Sequence, residues 1–194
     1  MNLIALLSAF AFVVLAEMGD KTQLLAMAFA CKFNWKTVMW GVFAATVLNH
    51  LAAVAVGSYL TTFIPISWIK IAAAISFIIF GLWTIRGDKL SEDDTKERSR
   101  SPFWTVAIAF FIAEMGDKTQ LATITLAAQF NMILPVWIGT TMGMMVADGI
   151  GIIIGCVLGK RIPERTVKWV AALIFIACGI WGLAAELYLQ PTVC

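Results

Sequence analysis

The stretch AEMGDKTQL, residues 16–24, returns letter for letter at 113–121. Before the first copy runs LIALLSAFAFVVL (3–15), and before the second FWTVAIAFFI (103–112), both of them apolar. These flanks read as membrane-spanning helix, so each copy puts Glu, Asp and Lys where hydrocarbon is expected. Hydrocarbon does not solvate charge. A chain that does this twice must either pair those groups or use them.

The rest of the chain agrees with a membrane setting. Of its 194 residues 61% are hydrophobic and 13% charged, with a mean hydropathy of +0.89. Soluble domains carry about 45–50% apolar and roughly 25% charged residues. Burial in a core cannot absorb that excess at this length, so most of the chain faces lipid or other helices. The net charge is only +2 and no basic stripe is present, which excludes nucleic acid as a partner. The cysteines (Cys31, Cys156, Cys178, Cys194) are scattered without a CxxC pair and read as small apolar residues, not as a disulfide or zinc framework. Residues 3–16 resemble a signal peptide ending at Ala16. They lack a basic leader, however, and have an uncleaved counterpart at 103–113, so the segment is read as a retained helix.

Apolar runs of roughly 20 residues mark spanning helices, here near 3–30, 37–60, 67–86, 103–129, 135–158 and 168–188. The expected fold is an all-α integral membrane protein of six transmembrane helices. The polar segment RGDKLSEDDTKERSRSP (86–102) carries five positive and five negative charges and reads as a solvated linker. It separates a first three-helix repeat, 1–86, from a second, 103–194, within one transmembrane domain. Glu17 matches Glu114 at an offset of 97, as Phe33-Asn34 matches Phe130-Asn131 and Trp40 matches Trp137. From there the offset is 98: Gly41 with Gly139, Gly57 with Gly155, Pro65 with Pro163, Lys70 with Lys168, Trp83 with Trp181.

Three spans per repeat is an odd number, so the second copy enters the membrane from the opposite side. Inverted-topology repeats of this kind are a transporter architecture with the binding site at the midplane. Loops 31–36, 86–102 and 159–168 hold eleven Lys and Arg residues, and the opposite side holds only Lys70. This bias places those loops in the cytoplasm and both termini outside. Small residues recur every fourth position at Gly139, Gly143, Ala147, Gly151, Gly155 and Gly159, and at Gly41, Ala45, Asn49, Ala53 and Gly57. Such stripes let helix backbones approach closely.

A charge at the bilayer centre costs about 2.5–3.5 kcal/mol, so Glu17, Asp20, Glu114 and Asp117 together cost roughly 10–14 kcal/mol. Lys21 and Lys118, four residues after the glutamates, share their helical face and offset half of that charge. Glu17 and Asp20 are three apart and so lie on one face, as do Glu114 and Asp117. If the two helices meet across the repeat axis, four carboxylates converge. Oxygen ligands without imidazole or thiolate suit Ca2+, Mg2+ and Mn2+. Gly19 and Gly116 can loosen the helices there, and Asp20 and Asp117 can cap the segments that follow. A crowd of like charges is relieved either by protons or by a dication. A site that holds one or the other is the minimum an exchanger needs.

A second tier of residues surrounds these four. Asp148 lies deep in the fifth span as a proton or outer group facing Lys21 or Lys118. His50 occupies the matching position in the second span and reads as helix packing, next to Asn49 of the small-residue stripe. Gln23, Gln120, Thr22 and Thr119 offer neutral oxygens, although a straight helix turns the threonines away from the carboxylates. Met18 and Met115 are also turned aside and read as packing.

Twin E-x-G-D-[KR]-[ST] motifs, here Glu17-Met18-Gly19-Asp20-Lys21-Thr22 and Glu114-Met115-Gly116-Asp117-Lys118-Thr119, resemble those of the Golgi-type calcium/manganese cation–proton exchanger family. That family includes bacterial manganese exporters and lies within the wider cation/Ca2+ exchanger superfamily. The resemblance covers the full chain. It implies that Glu17, Asp20, Glu114 and Asp117 form the ion site of a secondary antiporter that exports Mn2+, or moves Ca2+, against H+. The short loops resemble a compact bacterial member of the inner (plasma) membrane. No resident cofactor is implied. The expected partners are the lipid bilayer and the divalent cation substrate, and nothing in the residues sets an oligomeric state. Alternatives are a divalent-cation channel, since acidic rings also select cations, and a small-metabolite exporter with an acidic site. An enzyme is not expected, because no Ser–His arrangement or histidine cluster is present.

Overall fold

In the computed structural model, residues 2–86, 101–154 and 164–188 are described. They form eight helices: α1 (Leu3–Glu17), α2 (Lys21–Lys32), α3 (Trp35–Leu60), α4 (Ile66–Arg86), α5 (Pro102–Glu114), α6 (Lys118–Phe130), α7 (Ile133–Ile152) and α8 (Glu164–Tyr188). Most of the charged linker, the glycines at 155 and 159, and Cys156 and Cys194 lie outside the described residues.

Helix boundaries follow from local chemistry. Asn2 caps α1, its Oδ1 accepting the Ile4 N–H at 3.1 Å, and Asn34 caps α3 through the Lys36 N–H at 3.0 Å. Asn131, the repeat counterpart of Asn34, serves the opposite end of a helix. It closes α6 in the left-handed region at φ 49, a conformation asparagine tolerates.

Both motif-bearing spans, read at 3–30 and 103–129 as loosened at the glycine of the motif, are fully broken there. α1 and α2 meet at 72°, and α5 and α6 are likewise separate helices. Four helices, α3, α4, α7 and α8, are long and apolar enough to cross a bilayer, and the bent pair α1–α2 makes five. α5 is apolar but has only 13 residues, about 20 Å of helix against the roughly 30 Å of a hydrocarbon core. The described chain is therefore an all-helical membrane protein with four to five spans that meet this test.

Polarity is arranged inside-out. Leu7, Leu48, Ile79, Ile112, Leu173 and Trp181 are exposed, whereas Glu17, Asp20, His50, Glu114, Lys118 and Asp148 are buried. Lipid, unlike water, rewards that distribution.

The halves interleave. α7 packs on α1 and α2, α3 packs on α5 and α6, and α4 pairs with α8. The small-residue stripes bring several of these helices into close approach. A Cβ added at Gly139 would stand 2.5 Å from the Leu6 carbonyl oxygen, one at Gly143 2.8 Å from that of Phe10, and one at Gly41 3.1 Å from that of Phe103. Backbone thus meets backbone at the contacts of α7 with α1 and of α3 with α5. Phe12 of α1 stacks on Phe77 of α4 at 4.4 Å and on Phe175 of α8 at 5.4 Å, tying the α4–α8 pair to the centre. Trp137 Nε1 donates to the Val47 carbonyl at 3.1 Å, joining α7 to α3.

One cysteine departs from expectation. Cys31 is disulfide-bonded, while Cys178 is free. Cysteines far apart in sequence can meet in the fold, which their spacing does not reveal.

Candidate functional site

The motif folds as a tight turn between two helices. Glu17 ends α1, Met18 takes φ −60 and ψ 116, and Gly19 takes φ 75. The Asp20 N–H then donates to the Glu17 carbonyl at 2.9 Å. This is a type II β-turn, whose third position requires positive φ and so selects glycine. The second copy repeats it with Met115 at φ −66 and ψ 115, Gly116 at φ 80, and Asp117 N–H to Glu114 O at 3.1 Å. The next helix then starts, with Leu24 N–H on Asp20 O and Leu121 N–H on Asp117 O, both 3.1 Å. The glutamines brace the break. Gln23 Oε1 accepts the Gly19 N–H at 2.8 Å, and Gln120 Oε1 accepts the Gly116 N–H at 2.7 Å.

The turn changes which side chains meet. On a straight helix Thr22 and Thr119 point away from the glutamates, but across the break they swing back. Thr22 Oγ1 donates to Glu17 Oε1 and Thr119 Oγ1 to Glu114 Oε1. Asp20 and Asp117 hold the N-cap positions of α2 and α6 without a side-chain cap bond. Both carboxylates therefore sit at helix N-termini, where the partial positive charge favours them. Met18 is half-buried and Met115 is 58% exposed.

The two turns come together at the centre of the fold. Glu17, Asp20, Glu114, Asp117 and Asp148 are all buried. The charges of Asp148, Glu114, Asp20 and Asp117 all act on Glu17, and those of Glu114 and Asp20 act on Asp148. Asp148 forms no ion pair with Lys21 or Lys118 among the described residues. It adds a fifth carboxylate to the group, because α7 lies along α1 and α2.

The lysines differ from helical expectation. Spacing pairs Lys118 with Glu114, but its Nζ lies 2.8 Å from Asp20 Oδ1, in the other half of the chain. Lys21, expected against Glu17, is half-buried and makes no ion pair among the described residues. The bend is the cause: once the chain turns at glycine, positions i and i+4 no longer share a face.

His50 is more than packing. Its Nε2 stands 3.7 Å from Glu114 Oε1, with both groups buried. Asn49 Nδ2 donates to the Phe111 carbonyl at 3.1 Å, holding α3 to α5 one turn before the motif. Gln23 Nε2 donates to the Ala147 carbonyl at 2.6 Å, holding α2 to α7 beside Asp148. Sequence reasoning overlooked these two backbone anchors, since any residue supplies a carbonyl.

Several buried oxygens remain without donors. Glu17 Oε2, Glu114 Oε2, Asp117 Oδ2 and both oxygens of Asp148 accept no hydrogen bond among the described residues. Burying a carboxylate oxygen unpaired is costly, so the cluster is chemically unfinished by its own side chains. Among the described residues no three or more His, Cys, Asp or Glu side chains are arranged to hold a metal ion as they stand. The threonine hydroxyls occupy one oxygen of each glutamate, and the Lys118 ammonium occupies one of Asp20.

Comparison with known proteins adds an independent line. A protein of Vibrio cholerae described as "Putative manganese exporter" is 36% identical over 166 residues, 84% of this chain and 82% of its own length. A GDT1-like protein of Synechocystis sp. is 30% identical, covering 89% of this chain and 93% of its own. GDT1-like protein 3 of Arabidopsis thaliana is 27% identical over 96% of this chain and 71% of its own. No solved structure matches. The family model described as "Divalent cation/proton antiporter GDT1" matches residues 5–92 and 102–189, nearly the whole chain, and the chain therefore belongs to the GDT1 family of divalent cation/proton antiporters.

Proposed function

We propose that this protein exports a divalent cation, Mn2+ in preference to Ca2+, from the cytoplasm in exchange for protons, with Glu17, Asp20, Glu114 and Asp117 as the ligands of the carried ion. One observation carries this reading: carboxylates from both broken helices are buried together and keep oxygens that no donor among the described residues satisfies. Oxygen-only donors of this kind suit hard divalent cations. Protons are the other species able to relieve the same crowding, so ion and protons exclude one another at a shared site. Alternating exposure of that site to the two faces makes the exclusion an exchange. The manganese preference rests on the description of the Vibrio cholerae relative.

Six spans in two inverted halves suit this function, with α1–α2 and α5–α6 each a broken span lying at the centre. Asp148 and His50 flank Glu17 and Glu114 as outer groups, and the glutamines hold the turns that present the ligands. In proteoliposomes, Mn2+ entry is expected to drive proportional proton efflux. Flux without a pH change would rule out antiport and leave a channel.

The charge bias, eleven Lys and Arg against one, supports an inner-membrane protein with both termini outside the cytoplasm. An epitope tag placed before Met1 is expected to bind antibody on spheroplasts with an intact inner membrane. Binding only after permeabilisation would reverse the orientation.

A further inference from the structure

The repeat gives the chain two equivalent lysines, and the fold uses them unequally. Lys118 is buried with its Nζ 2.8 Å from Asp20 Oδ1. Lys21 is half-buried and has no ion-pair partner among the described residues. Helix geometry does not account for the Lys118 contact, which crosses from one half of the chain to the other. It is also the one ammonium placed on the carboxylate cluster among the described residues.

We propose that Lys118 is a tethered cation that the carried ion must displace from Asp20, and that it thereby makes the site selective for divalent over monovalent cations. This rests on the reading that Asp20 is a ligand of that ion. A dication bonds carboxylate oxygen at about 2.0–2.6 Å. It cannot share Oδ1 with an ammonium without direct repulsion between the two positive charges. Displacement by Na+ or K+ exchanges one unit charge for another and gains no electrostatic energy. Displacement by Mn2+ or Ca2+ brings a second unit of charge to a group of five buried carboxylates. The lysine thus lowers affinity for every cation, but only a dication recovers the loss. The ion pair also neutralises part of the cluster when no dication does so, and it joins the two halves through one contact that ion binding releases.

The test compares purified wild type, Lys118→Gln and Lys21→Gln in detergent by titration calorimetry with Mn2+, with and without NaCl replacing choline chloride. Removing a bound competitor raises apparent affinity by the inverse of the fraction of time the site is free of it. Lys118→Gln is therefore expected to bind Mn2+ about tenfold more tightly in choline, and to lose that gain in Na+. Wild type and Lys21→Gln should be insensitive to the swap. A lysine that only holds the fold together predicts otherwise, with affinity unchanged or weaker and no sodium effect, and that result overturns the proposal. Mn2+ should also raise the melting temperature of Lys118→Gln more than that of wild type, because the variant lacks its internal cation. Should that variant not fold, wild type labelled with 15N-lysine gives the answer: the Lys118 ammonium signal must shift on adding Ca2+, and an unmoved signal overturns the proposal. If wild type binds no dication at all, the ligand assignment itself fails along with this inference. If wild type binds and Lys118→Gln behaves like it, only the role of Lys118 is lost.

Discussion

Glu17→Gln is expected to abolish Mn2+ transport while leaving the protein folded. The substitution keeps the shape of the side chain and keeps an oxygen for the Thr22 hydroxyl. What it removes is the negative charge and the second carboxylate oxygen, Oε2, which accepts no hydrogen bond among the described residues. If that oxygen is a ligand, flux should fall by more than about 100-fold, since even outer partners of metal sites are worth about 10–100-fold. Glu114→Gln should behave alike because its environment is alike, with Thr119 on Oε1 and Oε2 unpaired. Asp117→Asn completes the set. Folding should be unaffected or improved, because a buried charge is replaced by a neutral amide. The measurement is Mn2+ uptake into proteoliposomes beside the melting temperature of the same preparations. Near-normal flux from any of the three stable variants would remove that residue from the ligand set.

Gly139→Leu is expected to destabilise the fold by about 3 kcal/mol, at the upper end of typical overpacking costs. The first added atom already stands 2.5 Å from the Leu6 carbonyl oxygen and 3.0 Å from the Ala9 Cβ. The clash is with backbone, so no rotamer relieves it, and α1 must move off α7. Gly149→Leu is the control on the same helix, because a Cβ there meets only the tip of Met39 at 3.8 Å. Denaturant unfolding in mixed micelles should separate the two substitutions clearly. Equal stability would mean that the glycine stripe does not set the approach of these helices. Because α1 carries Glu17 at its end, whatever Gly139→Leu leaves folded should also transport poorly.

Much of this protein was legible from its letters. Composition alone required a lipid environment, and the period of apolar runs marked the helices to within a few residues: 37–60 against Trp35–Leu60 and 67–86 against Ile66–Arg86. The doubled motif pointed to a central charged site, and the structure buries Glu17, Asp20, Glu114 and Asp117 around two adjacent turns. Glycine in the motif suggested a loosened helix, and positive φ at Gly19 and Gly116 gives that a definite form. These features are local or compositional. They depend on residue type and near neighbours, so one chain read in order is enough to show them.

Pairing was decided only in three dimensions. Helical spacing put Lys118 on Glu114, and the fold puts it on Asp20. The same spacing turned Thr22 and Thr119 away from glutamates whose Oε1 atoms they in fact donate to. His50 passed for packing and lies beside Glu114, while Asp148 was set against a lysine and stands among carboxylates. Two features account for these departures. A turn at a single glycine resets the angular register of everything after it, and the interleaving of α3 and α7 with the opposite broken helices brings together residues about a hundred positions apart. The sequence determined which charges enter the membrane and where the helices that carry them break. Only the tertiary structure decided which of those charges face one another, because that follows from the angle of each break and the close approach of glycine-lined backbones, and neither is a property of any single segment.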